Sequence, residues 1–166
     1  MKELINEEAF DPEKLFDKEN YNTLTIALNA DSLFKEKDVD VLIDLLDPQL
    51  SREDKENKLK QLKDNKQQKL LIKAVQEAET SEDKAKLLCI CWESGLDFKN
   101  DFLFFVEQTC DDDYMVSLEA FTVAENIEDV NDEETLTKAI LILDNSKTGN
   151  KQIIEDLKSN ILSKKL

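Results

Sequence analysis

Asp38-Val39-Asp40-Val41-Leu42-Ile43-Asp44-Leu45-Leu46-Asp47-Pro48 is the stretch that decides how this chain folds. Val39, Leu42, Ile43 and Leu46 recur at steps of three and four, which places them on one face of a helix. Asp47 then ends the run, because a residue before proline avoids the helical region. The same design returns three more times. Apolar helical patterns occupy residues 67–78, 101–110 and 134–143, and each pattern, like the one at 38–46, is followed by a turn and a second helix. The interval of roughly 30 to 34 residues is that of stacked helix pairs, which bury a shared core between neighbours.

The second helices differ in how much they bury. Ser51 caps a very polar helix whose apolar stripe is Leu59 and Leu62 alone. Ser81-Glu82-Asp83 opens the next, which carries Ala85, Leu87, Leu88, Ile90, Cys91 and Trp92 and stops at Gly95. The third pair is the most apolar, with Phe102, Leu103, Phe104, Phe105 and Val106 followed by Tyr114 through Ala124, and belongs at the centre. The fourth joins Leu136, Ala139, Ile140, Ile142 and Leu143 to a last helix with Ile153, Ile154, Leu157, Ile161 and Leu162. Lys151, Lys158, Lys164 and Lys165 suit the outer face of a capping repeat. Upstream, residues 1–36 read as an N-terminal cap. Asp11-Pro12-Glu13 starts a short helix through Leu15 and Phe16; Tyr21, Leu24, Ile26 and Leu28 form a helix, with a short strand as the alternative; Leu33 and Phe34 pack under the first repeat.

The expected fold is therefore all-α: one domain over 1–166, with about four helix pairs in 37–166 and about eight to nine helices wound as a right-handed α-α superhelix. The layout is similar to HEAT-like or armadillo-like solenoids. The closest echo is Leu42-Ile43-Asp44-Leu45-Leu46-Asp47-Pro48, like the first helix and Asp-Pro turn of many HEAT units; Cys91-Trp92-Glu93-Ser94-Gly95 is a weaker one. The turn proline appears in one repeat only, and the basic residue early in each second helix is irregular. What the resemblance implies is a partner-binding scaffold rather than a reaction.

Composition narrows the function classes. With 38 acidic and 22 basic residues the formal charge is −16, which opposes attraction to nucleic acid or anionic lipid. Residues 1–10 contain acids and no apolar core, and no stretch reaches the roughly 18 apolar residues of a membrane span. Three cysteines without paired or zinc-like spacing suit a reducing compartment, so the expected location is cytoplasmic. There is no histidine, which removes Ser-His-Asp and Cys-His nucleophilic systems. Two glycines cannot build a phosphate loop or a dinucleotide fingerprint. The expectation is a protein that is not an enzyme and uses no cofactor.

The charge is unevenly spread. Between Lys99 and Lys138 lie twelve acids and no Lys or Arg. They read either as solvated turns that keep the chain soluble or as a face for a partner with a basic surface. On the second reading the binding residues are Asp111, Asp112, Asp113, Glu119, Asp129, Asp132 and Glu133. Asp111-Asp112-Asp113 also reads as a helix cap. Trp92 and the 102–105 cluster read as core or as a peptide pocket. The functional expectation is a noncatalytic protein-interaction module; the alternative is an acidic inhibitor or immunity-type protein blocking a basic toxin or nuclease.

One window has metal-like spacing. Residues 144–155 place Asp144, Ser146, Thr148 and Glu155 at the first, third, fifth and twelfth positions, with Gly149 at the sixth, and so resemble a calcium-binding EF-hand loop. Lys151 stands where that loop has an apolar residue, and no second loop is available to pair. The other reading is a polar turn with Gly149 as a helix stop.

Overall fold

The computed structural model describes residues 16–166, and among them the chain is all-helical with no strand. The helix expected from Asp11-Pro12-Glu13 lies outside the described residues. After a 3-10 turn at Lys18–Tyr21 come α1 (Asn22–Asn29), α2 (Glu36–Asp44), α3 (Arg52–Asp64), α4 (Gln68–Glu77) and α5 (Ser81–Glu93). A second 3-10 turn at Lys99–Asp101 leads into α6 (Phe102–Thr109), followed by α7 (Tyr114–Glu125), α8 (Glu133–Asn145) and α9 (Lys151–Lys164).

Several helix boundaries have a local cause. Ser51 Oγ accepts from Asp54 N at 3.1 Å and starts α3. Thr80, one residue ahead of the expected Ser81, caps α5 by accepting from Asp83 N at 3.1 Å. Asp113, Asp132 and Asn150 do the same for α7, α8 and α9. Gly95, at φ +63°, stops α5 as its position predicts. At the end of α3 the same left-handed place is held by Lys66 (φ +52°). Lys66 N donates to Lys63 O and Gln67 N to Leu62 O, the paired bonds of a Schellman turn.

Helices α4, α6 and α8 alternate with α5, α7 and α9. Within this part α4 packs on α5, α6 on α7 and α8 on α9, while α6 meets α8 and α7 lies between α5 and α9. The apolar pair α6–α7 is central, as expected. Phe102, Phe105, Val106, Val116 and Ala120 are fully enclosed, and Phe105 meets Phe98 and Phe104 edge-on at 5.1 and 5.3 Å. Ser117, wholly buried, donates to Thr109 O at 2.6 Å, so the crossing leaves no orphan hydroxyl. One core runs from Tyr21 to Ile161.

The front end departs from a plain repeat. α1 packs against both α2 and α4, and the first pair is tied to the rest by polar bonds. Asp38, at the third position of α2, is 1 % exposed and accepts from Asn65 Nδ2 at 2.8 Å and Gln67 Nε2 at 3.2 Å, pinning the α3–α4 turn. Asp44 takes Lys18 at 2.5 Å and Lys58 at 3.0 Å. Burial pushes its carboxyl upward, but the two ammonium groups prevail and the net shift is down. Leu33 is a correction to the sequence reading: it stands 71 % exposed, while only its neighbour Phe34 packs against the core. Asp31 caps that turn by accepting from Leu33 N, which leaves the Leu33 side chain outside.

Candidate functional site

The seven acids expected to form one face separate into two groups. Asp111, Asp112 and Asp113 fill the α6–α7 turn, whereas Asp129, Asp132 and Glu133 follow the other end of α7. A helix of that length rises about 18 Å, so the groups sit at opposite ends of α7. Glu119 lies between them on α7.

Much of the acid at the α6–α7 turn is structural. Asp113 Oδ1 accepts from Met115 N and Val116 N at 3.0 and 3.1 Å, capping α7. Asp111 accepts from Asp113 N at 2.9 Å and meets Lys84 of α5 at 3.5 Å. Asp112 faces Gly149 N at 3.4 Å. At the other end Asp132 caps α8, accepting from Thr135 N at 2.8 Å; bonds from Thr135 hold its carboxyl below the usual range. Asp129 and Asp132 also line a hollow of about 490 Å³ with Lys99, Asn100, Phe102 and Phe104.

In the 144–155 window the oxygen-bearing side chains are turned to protein partners. Asp144 takes Lys158 at 2.5 Å, Ser146 Oγ donates to Thr148 O at 2.7 Å, and Thr148 Oγ1 donates to Cys110 O at 2.8 Å. Gly149 (φ +89°) lets the loop press onto the end of α6, where a Cβ would stand 3.1 Å from the Cys110 carbonyl. Glu155 is exposed on α9. Among the described residues no group of three or more His, Cys, Asp or Glu is placed to hold a metal ion.

Two adjoining grooves run along α5, and the sequence reading did not assemble them. Glu82, Lys86, Cys89 and Glu93 recur at i, i+4, i+7 and i+11 and form one outward edge. On one flank, Glu82, Ala85, Lys86 and Cys89 join Asp113, Met115 and Glu119 around a groove of about 420 Å³. On the other, Lys86, Cys89, Ile90 and Glu93 join Leu45, Leu46, Asp47, Pro48, Leu50 and Lys55 around a groove of about 270 Å³. The floors are carbon and sulfur; the rims are mostly carboxylate.

Trp92 belongs to this surface and not to the core. It is 44 % exposed, and its Nε1–H donates to Glu119 at 2.9 Å, bridging α5 to the groove wall on α7. Tyr114 and Met115, at 55 % and 48 % exposed, extend the apolar margin. The signal for this surface was present in the spacing of Ala85, Cys89 and Trp92, a second apolar stripe turned away from Leu87 and Cys91.

The cysteines argue against thiolate chemistry here. Burial pushes the Cys89 thiol up to about 12, with Glu93 and Glu119 adding to the effect, and burial drives Cys91 higher still. Burial raises Cys110 as well. All three are free.

No helix among the described residues is long and apolar enough to cross a membrane. Comparison with known proteins gives no match: no family model fits the chain, and neither a curated protein nor a solved structure is similar to it.

Proposed function

We propose that this chain is a noncatalytic binding module, a short right-handed solenoid of HEAT-like character that recognises a protein or peptide with a basic surface. The alternating contacts of α4, α6, α8 and α5, α7, α9 support the solenoid reading. Its binding surface is the pair of grooves flanking α5, and the reducing interior of the cell, the cytoplasm, is where its free cysteines fit. The observation that carries the reading is the combination of an apolar floor with a rim of Asp47, Glu82, Glu93, Asp113 and Glu119. The carboxylates outnumber Lys55 and Lys86 on the same rims, and an exposed apolar floor with a net negative rim suits a partner of opposite sign. The other acids at the ends of α7, Asp111, Asp112, Asp129, Asp132 and Glu133, then steer encounter at longer range, while Asp113 stands on the rim itself.

The test is affinity capture from cell extract with the wild-type chain and with a Glu82→Lys/Glu119→Lys variant, each at low and high salt. A basic protein held by the wild type, released by salt and lost from the variant supports the reading. Equal capture by both chains, or retention insensitive to salt, sinks it.

A further inference from the structure

The two grooves share Lys86 and Cys89 and lie on opposite flanks of α5. Their floors are therefore separated by about the width of one helix, some 10 Å with side chains. An α-helix laid across that ridge offers side chains on one face at i and i+7, about 10.5 Å apart. An extended peptide offers same-side residues at about 7 or 13 Å, which fits less well. No strand exists among the described residues to which such a peptide could add.

Charge fixes the rest of the partner's chemistry. The rims carry the carboxylates of Asp47, Glu82, Glu93, Asp113 and Glu119 against the ammonium groups of Lys55 and Lys86. Both ammonium groups are already engaged, Lys55 with Glu93 at 2.9 Å and Lys86 with Glu82 at 2.8 Å. Carboxylates outnumber ammonium groups five to two along the rims, so the field over the grooves is negative.

Resting on the binding reading above, we infer that the occupant is an amphipathic helix of a partner protein, with two apolar anchors seven residues apart and Lys or Arg flanking them. One anchor enters beside Leu50 and Pro48, the other beside Met115 and Ala85. The ridge at Cys89 passes between them.

The experiment uses synthetic Lys- and Ala-rich peptides, about five helical turns long. One carries two Leu seven apart, a second carries them five apart and so on different sides, and a third replaces every Lys of the first with Glu. Trp92 is the chain's single tryptophan and donates to Glu119 on the groove rim, so its emission reports on events beside that rim. The expected result is that the seven-apart basic peptide shifts that emission and binds about tenfold or more tightly than the five-apart one, with the acidic peptide silent. Met115→Ser and Leu50→Ser, each checked for helicity by circular dichroism, should each cost about tenfold and remove the preference for spacing. Equal affinity for the two spacings overturns the helix inference and leaves the basic-partner reading standing. Absence of any emission change or calorimetric heat with both basic peptides overturns both.

Discussion

Replacing Asp38 with Ala tests the carboxylate that ties α2 to the α3–α4 turn. Asp38 is 1 % exposed and accepts from Asn65 Nδ2 at 2.8 Å and Gln67 Nε2 at 3.2 Å. A hydrogen bond to a charged group contributes about 1.5–3 kcal/mol. The longer bond, from a half-buried Gln, belongs at the low end, and both freed amides reach water, so no full orphaning penalty is added. A carboxylate in the first turn of α2 adds about 0.3–1 kcal/mol through the helix dipole, while removing a buried charge returns part of its desolvation cost. The balance is a loss of about 3 kcal/mol. Urea unfolding followed by far-ultraviolet circular dichroism measures it, and Asp38→Asn, which keeps one acceptor, should fall between wild type and Ala. In a double-mutant cycle with Asn65→Ala the coupling should exceed about 1 kcal/mol. A loss under about 1 kcal/mol for Asp38→Ala, with an unchanged m-value, refutes the assignment of this carboxylate as the clamp on the α3–α4 turn.

Further outcomes follow from single positions. Lys66→Gly should stabilise the chain by about 0.5–1 kcal/mol in the same assay, because Lys66 holds a left-handed φ of +52° that glycine adopts freely; a loss of stability refutes the Schellman turn. Gly149→Ala should destabilise by about 2–3 kcal/mol, combining strain at φ +89° with a Cβ 3.1 Å from the Cys110 carbonyl, and a neutral result means the loop does not press on α6. Cys89 should react with iodoacetamide at pH 8 some two to three orders of magnitude more slowly than an unfolded-chain cysteine, since its thiol is raised to about 12. Because Cys89 and Tyr21 are both raised to about 12, mainly by burial, the folded state holds their protons more tightly than the unfolded chain. Their contribution is therefore complete below about pH 9 and is lost as the pH climbs towards 12. Cys89→Ser should flatten that alkaline decline, and an unchanged slope excludes Cys89 as a source.

The helices were legible because breakers and caps are local. Asp47-Pro48, Ser51, Gly95 and Asp113 act where they stand in the chain, and the spacing of Phe102, Phe105 and Val106 marks a buried face without knowledge of any neighbour. What escaped were the features set by residues distant in sequence. Asp38 looks like one more solvated acid until Asn65 and Gln67 are folded over it. Trp92 satisfies a helical core pattern, yet it stands 44 % exposed and its indole N–H reaches out to Glu119. The acids of 101–134 share one stretch of sequence, but α7 carries them to its opposite ends, so proximity along the chain did not translate into a face. The 144–155 spacing is that of a cation loop, but Thr148 turns to Cys110 and Asp144 to Lys158. That outcome depends on α6 and α9 and is invisible in the spacing itself.

The proposed meeting place of this chain and its partner is the pair of grooves along α5. It is tested most directly by titrating the isotopically labelled protein with the seven-apart basic peptide and following backbone amide resonances. Binding in the grooves should concentrate the perturbations at 45–50, 82–93 and 113–119 and leave α9 and the Asp129–Asp132 hollow quiet. Perturbations confined to that hollow or to α8 and α9, or a spectrum unchanged at saturating peptide, would contradict it.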